Sequence, residues 1–165
     1  MELILIRHGQ AEDRLDSQPD EERNLTKDGR KILTASMTGY GCFLKTRNAP
    51  FIWSSPLNRA LQTAEMIASA IGVVSVSQYA CIGSGDFEAF VKVLSEMDFD
   101  RTDDSLIIVG HEPWLSHWSR QLCGIILPFK KGAAAGFRFD PRAPRESELL
   151  WFAQPRILRR MKTLT

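Results

Sequence analysis

Three apolar runs in this chain end in side chains that a buried strand does not need. Leu3 to Ile6 leads straight into Arg7, His8 and Gly9. Phe51 to Trp53 leads into Ser54 and Ser55, with Arg59 a turn further on. Ser105 to Val109 leads into Gly110, His111 and Glu112. If these runs lie side by side, two arginines and two histidines meet at one rim. That set suits a phosphoryl group. A guanidinium presents a planar fork of donors that matches phosphate oxygens, and two of them neutralise a dianion without a metal. An imidazole with a free lone pair can attack phosphorus and carry the group covalently until water removes it. Neighbouring arginines push the imidazole below its usual pKa of about 6.5, which favours the neutral nucleophile while they hold the electrophile. The second ring nitrogen then needs a carbonyl acceptor to fix the tautomer. Gly9, lacking a side chain, lets backbone approach the ligand closely. Arg59, near a helix start, shares that helix's positive end.

The pattern around these residues predicts the elements that hold them. Leu3–Ile6 and Ser105–Val109 are continuous rather than alternating in apolar character, as in strands covered on both faces. Phe51–Ser54 and the beta-branched Val73–Ser77 read as two more short strands. Helices are expected over Lys27–Leu44, from Ser55–Pro56 to about Ala70, over Asp86–Met97 and over Pro113–Leu122. Thr26 and Ser55 are candidate caps, Pro56 a first helical position and Gly72 a stop. Ile32, Leu33, Ala35, Met37 and Tyr40 are the expected buried positions of the first helix, whose second half Gly39 and Gly41 weaken. Gln10–Arg23, polar and acidic, reads as a surface loop. Ala135–Phe139 and Leu149–Phe152 look like two strands at a sheet edge. Strand and helix alternate for most of the length, which implies a three-layer α/β/α sandwich with a mostly parallel sheet and an antiparallel edge. In such sheets ligands bind beyond the carboxyl ends of the strands, where the arginines and histidines stand.

The bulk numbers are those of an ordinary globular protein. The 165 residues fit one domain over 1–165, with 44% hydrophobic and 25% charged residues and a net charge of +1. A strongly basic nucleic-acid protein is not expected. No apolar run is long enough for a membrane span, and the opening residues do not form a signal peptide. Cys42, Cys81 and Cys123 are odd in number and form no CxxC, so reduced cysteines in a cytoplasmic protein are expected.

Four segments carry a resemblance to a known family. IRHGQAE, NLTKDG, SSPLNRALQTAE and IIVGHEP are similar, in this order, to the conserved blocks of the histidine phosphatase superfamily, which includes the phosphoglycerate mutases and many phosphatases. They span positions 7 to 113. The resemblance implies a phosphoglycerate mutase-like fold, no cofactor, His8 as the phosphorylated nucleophile, and Arg7 and Arg59 as ligands of the phosphoryl group. It implies that His111 donates a hydrogen bond to a phosphoryl oxygen. The short chain resembles the compact SixA-type phosphohistidine phosphatases. Larger members place a glutamate general acid after the third strand, followed by a glycine-rich stretch with a tryptophan. Here that region reads QYACIGSGD, and Asp86 is the nearest carboxylate, counted with Gly9 and Ser55 among the substrate-binding candidates.

A missing acid bears on the substrate. An alkoxide is a poor leaving group unless protonated in the transition state, whereas an imidazole on phosphorus, once protonated, leaves as a neutral ring. Protein phosphohistidine is therefore the expected substrate. A small-molecule phosphomonoesterase is the enzymatic alternative, and a non-catalytic module that binds phosphate or a phosphoprotein is the other. Taken singly, each residue has a plainer explanation. Arg7 could snorkel from a strand end, His8 and His111 could be satisfied structurally, and Arg59 could be an exposed helix residue. Ser55 is a helix cap first. Glu12 and Glu112 read as solvated. His117 lies six residues after His111, which is not the spacing of a helical zinc pair, so no metal is expected. Trp114 and Trp118 read as packing. The basic segment PRILRRMK near the C-terminus reads as a solvated face, with contact to an acidic partner protein as the alternative. Nothing in the sequence sets an oligomeric state.

Overall fold

The computed structural model describes residues 1–43, 49–97 and 104–161. A six-stranded sheet runs through it in the order β3-β2-β4-β1-β5-β6. The central pair is β1 (Glu2–Arg7) and β4 (Ser105–Gly110), parallel and in register from Glu2 opposite Ser105 to Arg7 opposite Gly110. Burial explains the unbroken apolar runs: Leu3 to Ile6 and Leu106 to Val109 have no exposed surface, because helices cover both faces. β2 (Phe51–Ser54) pairs parallel with β4 on the other side. Beyond β1, the strands β5 (Ala134–Arg138) and β6 (Glu148–Ala153) run antiparallel. The expected α/β/α sandwich with an antiparallel edge is the fold observed.

The third strand is an exception. The valines of 73–76 do not form it. Only Ser77 and Gln78 pair with β2, as β3. Beta-branched residues favour a pleated surface only where neighbours pack on it, and Val74 is fully exposed.

Among the described residues, six helices complete the layers. α1 (Lys27–Phe43) is capped by Thr26, whose Oγ1 accepts the Gly29 N–H at 2.9 Å. The end expected at Leu44 falls outside the described residues. Of the expected buried positions, Leu33 and Tyr40 are buried; Ala35 faces solvent, and Ser36 and Gly39 take part in the buried stripe instead. Gly39 does not simply weaken the helix. A Cβ there would lie 2.3 Å from the carbonyl oxygen of Leu158, in a short C-terminal helix α6 (Pro155–Leu158) that the sequence pattern did not suggest. The glycine lets α6 lie directly on α1. Gly39→Ala is expected to cost about 1–3 kcal/mol by overpacking, read as a lower urea midpoint.

α2 (Asn58–Ile71) begins two residues later than Ser55–Pro56 suggests. Ser55 and Pro56 form the turn that enters it, and Ser55 Oγ accepts the Leu57 N–H at 3.3 Å. Gly72 stops it in the left-handed conformation, φ 76°. Between β3 and α4 (Phe87–Ser95) lies an unanticipated short helix, α3 (Ala80–Ser84). α5 (Trp114–Cys123) follows β4 and packs Trp118 against Phe87 and Phe90. Among the described residues, no helix is long and apolar enough to cross a membrane.

Candidate active site

The parallel strands deliver their polar ends to one rim, as their register requires. Arg7 ends β1 opposite Gly110, the last residue of β4, so His8 and His111 follow side by side. Their ring centroids are 4.9 Å apart. The His8 N–H bonds the Gly110 carbonyl at 3.1 Å, which continues the ladder one step past the strand. Ser55 joins the same row through its N–H to the Val109 carbonyl at 3.0 Å.

His8 has its tautomer set. Its Nδ1–H donates to the Gly9 carbonyl at 2.6 Å, which leaves the lone pair on Nε2. Burial, then the His111 ring, then Arg59 and Arg7, push its pKa down to about 3, against the raising effect of the Gly9 carbonyl. His111 is also pushed down to about 3, by burial first and then by Arg59, Arg7 and Arg23, with Asp20 opposing. Both rings are neutral at physiological pH.

Each arginine is braced at its tip. Arg7 Nη1 donates to the Phe129 carbonyl at 2.7 Å. Arg59, only 6% exposed, gives Nη1 to the Asp20 carbonyl at 2.7 Å and Nη2 to the Asp20 carboxylate at 2.8 Å. The inner nitrogens have no such partner. Arg7 Nε, Arg59 Nε and both ring nitrogens of His111 are buried without a hydrogen bond. Buried donors left unmade are costly and rare in folded proteins. Here they cluster beside one imidazole with a free lone pair. An oxyanion seated on Nε2 of His8 would satisfy the two Nε–H groups and the single N–H of the neutral His111 ring.

Other candidates take different parts. Gly9 is needed for packing: a Cβ there would lie 2.6 Å from Leu33 Cδ1. Its carbonyl orients His8, and its N–H donates to Thr63 Oγ1 at 3.1 Å. Ser55 is fully buried and caps the turn into α2, with α3 closing over it. Asp86 is the N-cap of α4, its carboxylate accepting the Ala89 N–H at 3.0 Å. It is exposed, and it is not among the charges that act on either histidine. Glu112 faces the Arg7 guanidinium and accepts the Ser116 hydroxyl at 2.8 Å, so it is less free than a solvated carboxylate.

Residues without a role in the sequence reading hold the site together. Asp20, from the acidic loop, accepts Arg59 and also Arg23 Nε at 2.9 Å. Arg23 adds a third positive charge near His111. Within the QTAE run, Thr63 links α2 to the end of β1, accepting from Gly9 and donating to the Arg59 carbonyl at 2.7 Å. Gln62 accepts the Leu25 N–H at 2.9 Å and fastens the loop after the acidic segment. The motif's polar residues are thus the struts between the helix that carries Arg59 and the strand that carries His8.

The family model of the histidine phosphatase superfamily, branch 1, matches residues 3–89. This chain belongs to that superfamily. His111 lies beyond the matched span, so its place beside His8 rests on the strand register alone. A relative of this histidine phosphatase superfamily member is an uncharacterised protein of Picosynechococcus sp. strain PCC 7002, 31% identical, with 96% of this chain and 99% of the relative covered. The fold is similar to that of the protein histidine phosphatase SixA complexed with tungstate, with a TM-score of 0.79, 22% identity, and 96% of this chain and 99% of that one covered. A mycobacterial glucosyl-3-phosphoglycerate phosphatase complexed with inorganic phosphate matches with a TM-score of 0.64 and 18% identity, covering 93% of this chain and 98% of that one.

Proposed function

We propose that this protein is a metal-independent phosphatase that removes phosphoryl groups from histidine side chains of proteins in the cytoplasm. The observation that carries the reading is the group of buried, unpaired nitrogens of Arg7, Arg59 and His111 around the lone pair of His8. In the first step His8 Nε2 forms a bond to phosphorus as the bond to the leaving nitrogen breaks. Arg7, Arg59 and His111 hold the three non-bridging oxygens and stabilise the charge that builds on them. In the second step water attacks the phosphohistidine, inorganic phosphate leaves, and His8 recovers its lone pair.

The carboxylates near the site favour a phosphoramidate over an ester. Burial alone would raise the Asp20 pKa, but the hydrogen bonds from Arg59 and Arg23 outweigh it and hold Asp20 below the usual carboxylate range. Asp20 is therefore ionised at neutral pH and has no proton to give. Asp86 is engaged as a helix cap. An alcohol would have to leave unassisted, whereas the imidazole of phosphohistidine, once protonated from solvent, departs as a neutral ring. SixA, the protein histidine phosphatase whose fold is similar, lends the same substrate class.

The test is phosphate release from a phosphohistidine peptide in the presence of EDTA, compared with para-nitrophenyl phosphate and sugar phosphates. The expected result is a kcat/KM at least about 100-fold higher on phosphohistidine, the range that general acid catalysis contributes when it is present. Faster turnover of a sugar phosphate would move the protein to the small-molecule phosphomonoesterases. Tight phosphate binding with no turnover of any substrate would make it a binding module.

A further inference from the structure

The basic C-terminal segment has no role in the chemistry above, yet it does not lie on a featureless face. A groove of about 630 Å³ opens beside Arg7. Besides Arg7, its lining carries four cations, Lys130, Lys131, Arg156 and Arg159. Ile32, Pro155 and Ile157 line it as well, and Ile157 is 53% exposed. No aspartate or glutamate lines the groove, and none of these four cations is in an ion pair among the described residues. In a chain of net charge +1, this is a local excess of positive charge.

The walls are held firmly. Arg7 Nη1 bonds the Phe129 carbonyl, and the Gly132 N–H bonds the carbonyls of Arg7 and His8 at 3.0 and 3.1 Å. The Tyr40 hydroxyl donates to the Gly132 carbonyl at 2.7 Å. Gln154 Nε2 donates to the Pro128 carbonyl at 2.9 Å, tying α6 to the lysine loop, while Gly39 seats α6 on α1. A groove built this way exists before its ligand arrives, which lowers the ordering cost of binding.

We propose that this groove binds an acidic segment of the phosphorylated protein, next to the residue that delivers its phosphoryl group to His8. The inference rests on the phosphohistidine reading of the site. Arg7 belongs to both the groove and the phosphoryl site, so one extended chain can occupy both. The four cations select carboxylates. The exposed aliphatic floor takes an apolar side chain, which a small inorganic anion would leave uncovered.

The probes are a fluorescent peptide of alternating acidic and leucine residues and its counterpart with glutamine and asparagine in place of the acids. Neither carries phosphate, so their binding is independent of turnover. The intact protein is expected to bind the acidic peptide about tenfold more tightly at low salt, with the difference fading as salt screens it. Arg156→Ser combined with Arg159→Ser, and separately Lys131→Glu, should each erase most of that preference. The same acidic flanks on a phosphohistidine peptide should raise kcat/KM about tenfold in the wild type and not in the variants, while phosphoramidate turnover stays unchanged in all three. Equal binding of the two peptides overturns the proposal, as does variant binding equal to wild type. So does an acidic phosphohistidine peptide turned over no faster than the neutral one. Equal capture of vesicles rich in phosphatidylserine would show an unselective anion surface and also overturn it. If no substrate is turned over, the phosphatase reading fails and the peptide comparison alone decides whether the groove reads acidic chains.

Discussion

His8→Ala is expected to lower phosphate release by about 10⁴-fold or more, while inorganic phosphate still inhibits or binds within a few-fold of wild type. The two halves of this expectation come from different atoms. Covalent transfer needs the Nε2 lone pair, and no other side chain near it offers one of equal placement. His111 is neutral too, but in the proposed mechanism it gives a hydrogen bond to a phosphoryl oxygen and leaves the attack to His8. Anion binding needs Arg7 Nε, Arg59 Nε and His111, all of which remain in the variant. Their outer nitrogens stay braced by Phe129 and Asp20, so the substitution does not release them. Mass spectrometry of the wild-type enzyme quenched during turnover at alkaline pH should place one phosphoryl group on the peptide holding His8. A label on the His111 peptide, or a His8→Ala enzyme of near-normal rate, would reverse the assignment.

The parts of this site that were legible in the sequence share one property: they sit where a pattern breaks. Leu3–Ile6 and Ser105–Val109 stop being apolar at Arg7 and at Gly110, and the strand ends are where ligands bind in a parallel sheet. Arg59 was legible only through the residues around it, because one arginine near a helix start has no chemistry of its own. Thr63 and Gln62 stood in the same run, and their work was not visible. A strut is defined by what it touches, and Gly9 is 54 residues away from Thr63 along the chain. Asp20 escaped for the same reason. Its partner Arg59 is 39 residues away, and an acidic loop gives no sign that one of its carboxylates turns inward. Asp86 has a structural part that its chemistry did not suggest. It is the carboxylate of the QYACIGSGD segment, and its position before Phe87 and three residues from Ala89 also makes it a helix cap. Val73–Val76 shows the limit of propensity, since a strand at the edge forms only as far as its neighbour offers partners. The glycines show the limit of the one-body view. Gly9 and Gly39 are each explained by a leucine elsewhere, Leu33 in one case and Leu158 in the other.

The same burial that keeps the His8 ring neutral makes the protein sensitive to acid. In the unfolded chain a histidine titrates near 6.5, while in the fold both His8 and His111 are pushed down to about 3. Between these values the unfolded chain binds protons that the folded one refuses. Stability therefore rises with pH across this window; the contribution of the two rings is fully present above 6.5 and is lost as pH falls towards 3. Well inside the window, each ring contributes a slope of about 1.4 kcal/mol per pH unit, so the pair gives roughly 2–3 kcal/mol per unit. Urea unfolding between pH 6 and pH 4.5 measures it. Carboxylates add their own acid sensitivity in the same range, so the decisive quantity is a difference. His8→Asn should flatten the dependence by about 1 kcal/mol per pH unit, because one of the two refused protons is gone. Identical slopes in the two proteins would mean that His8 takes up a proton in the fold as readily as in the unfolded chain. It would then be half charged near pH 6.5, and about a quarter of the protein would lack the Nε2 lone pair at pH 7.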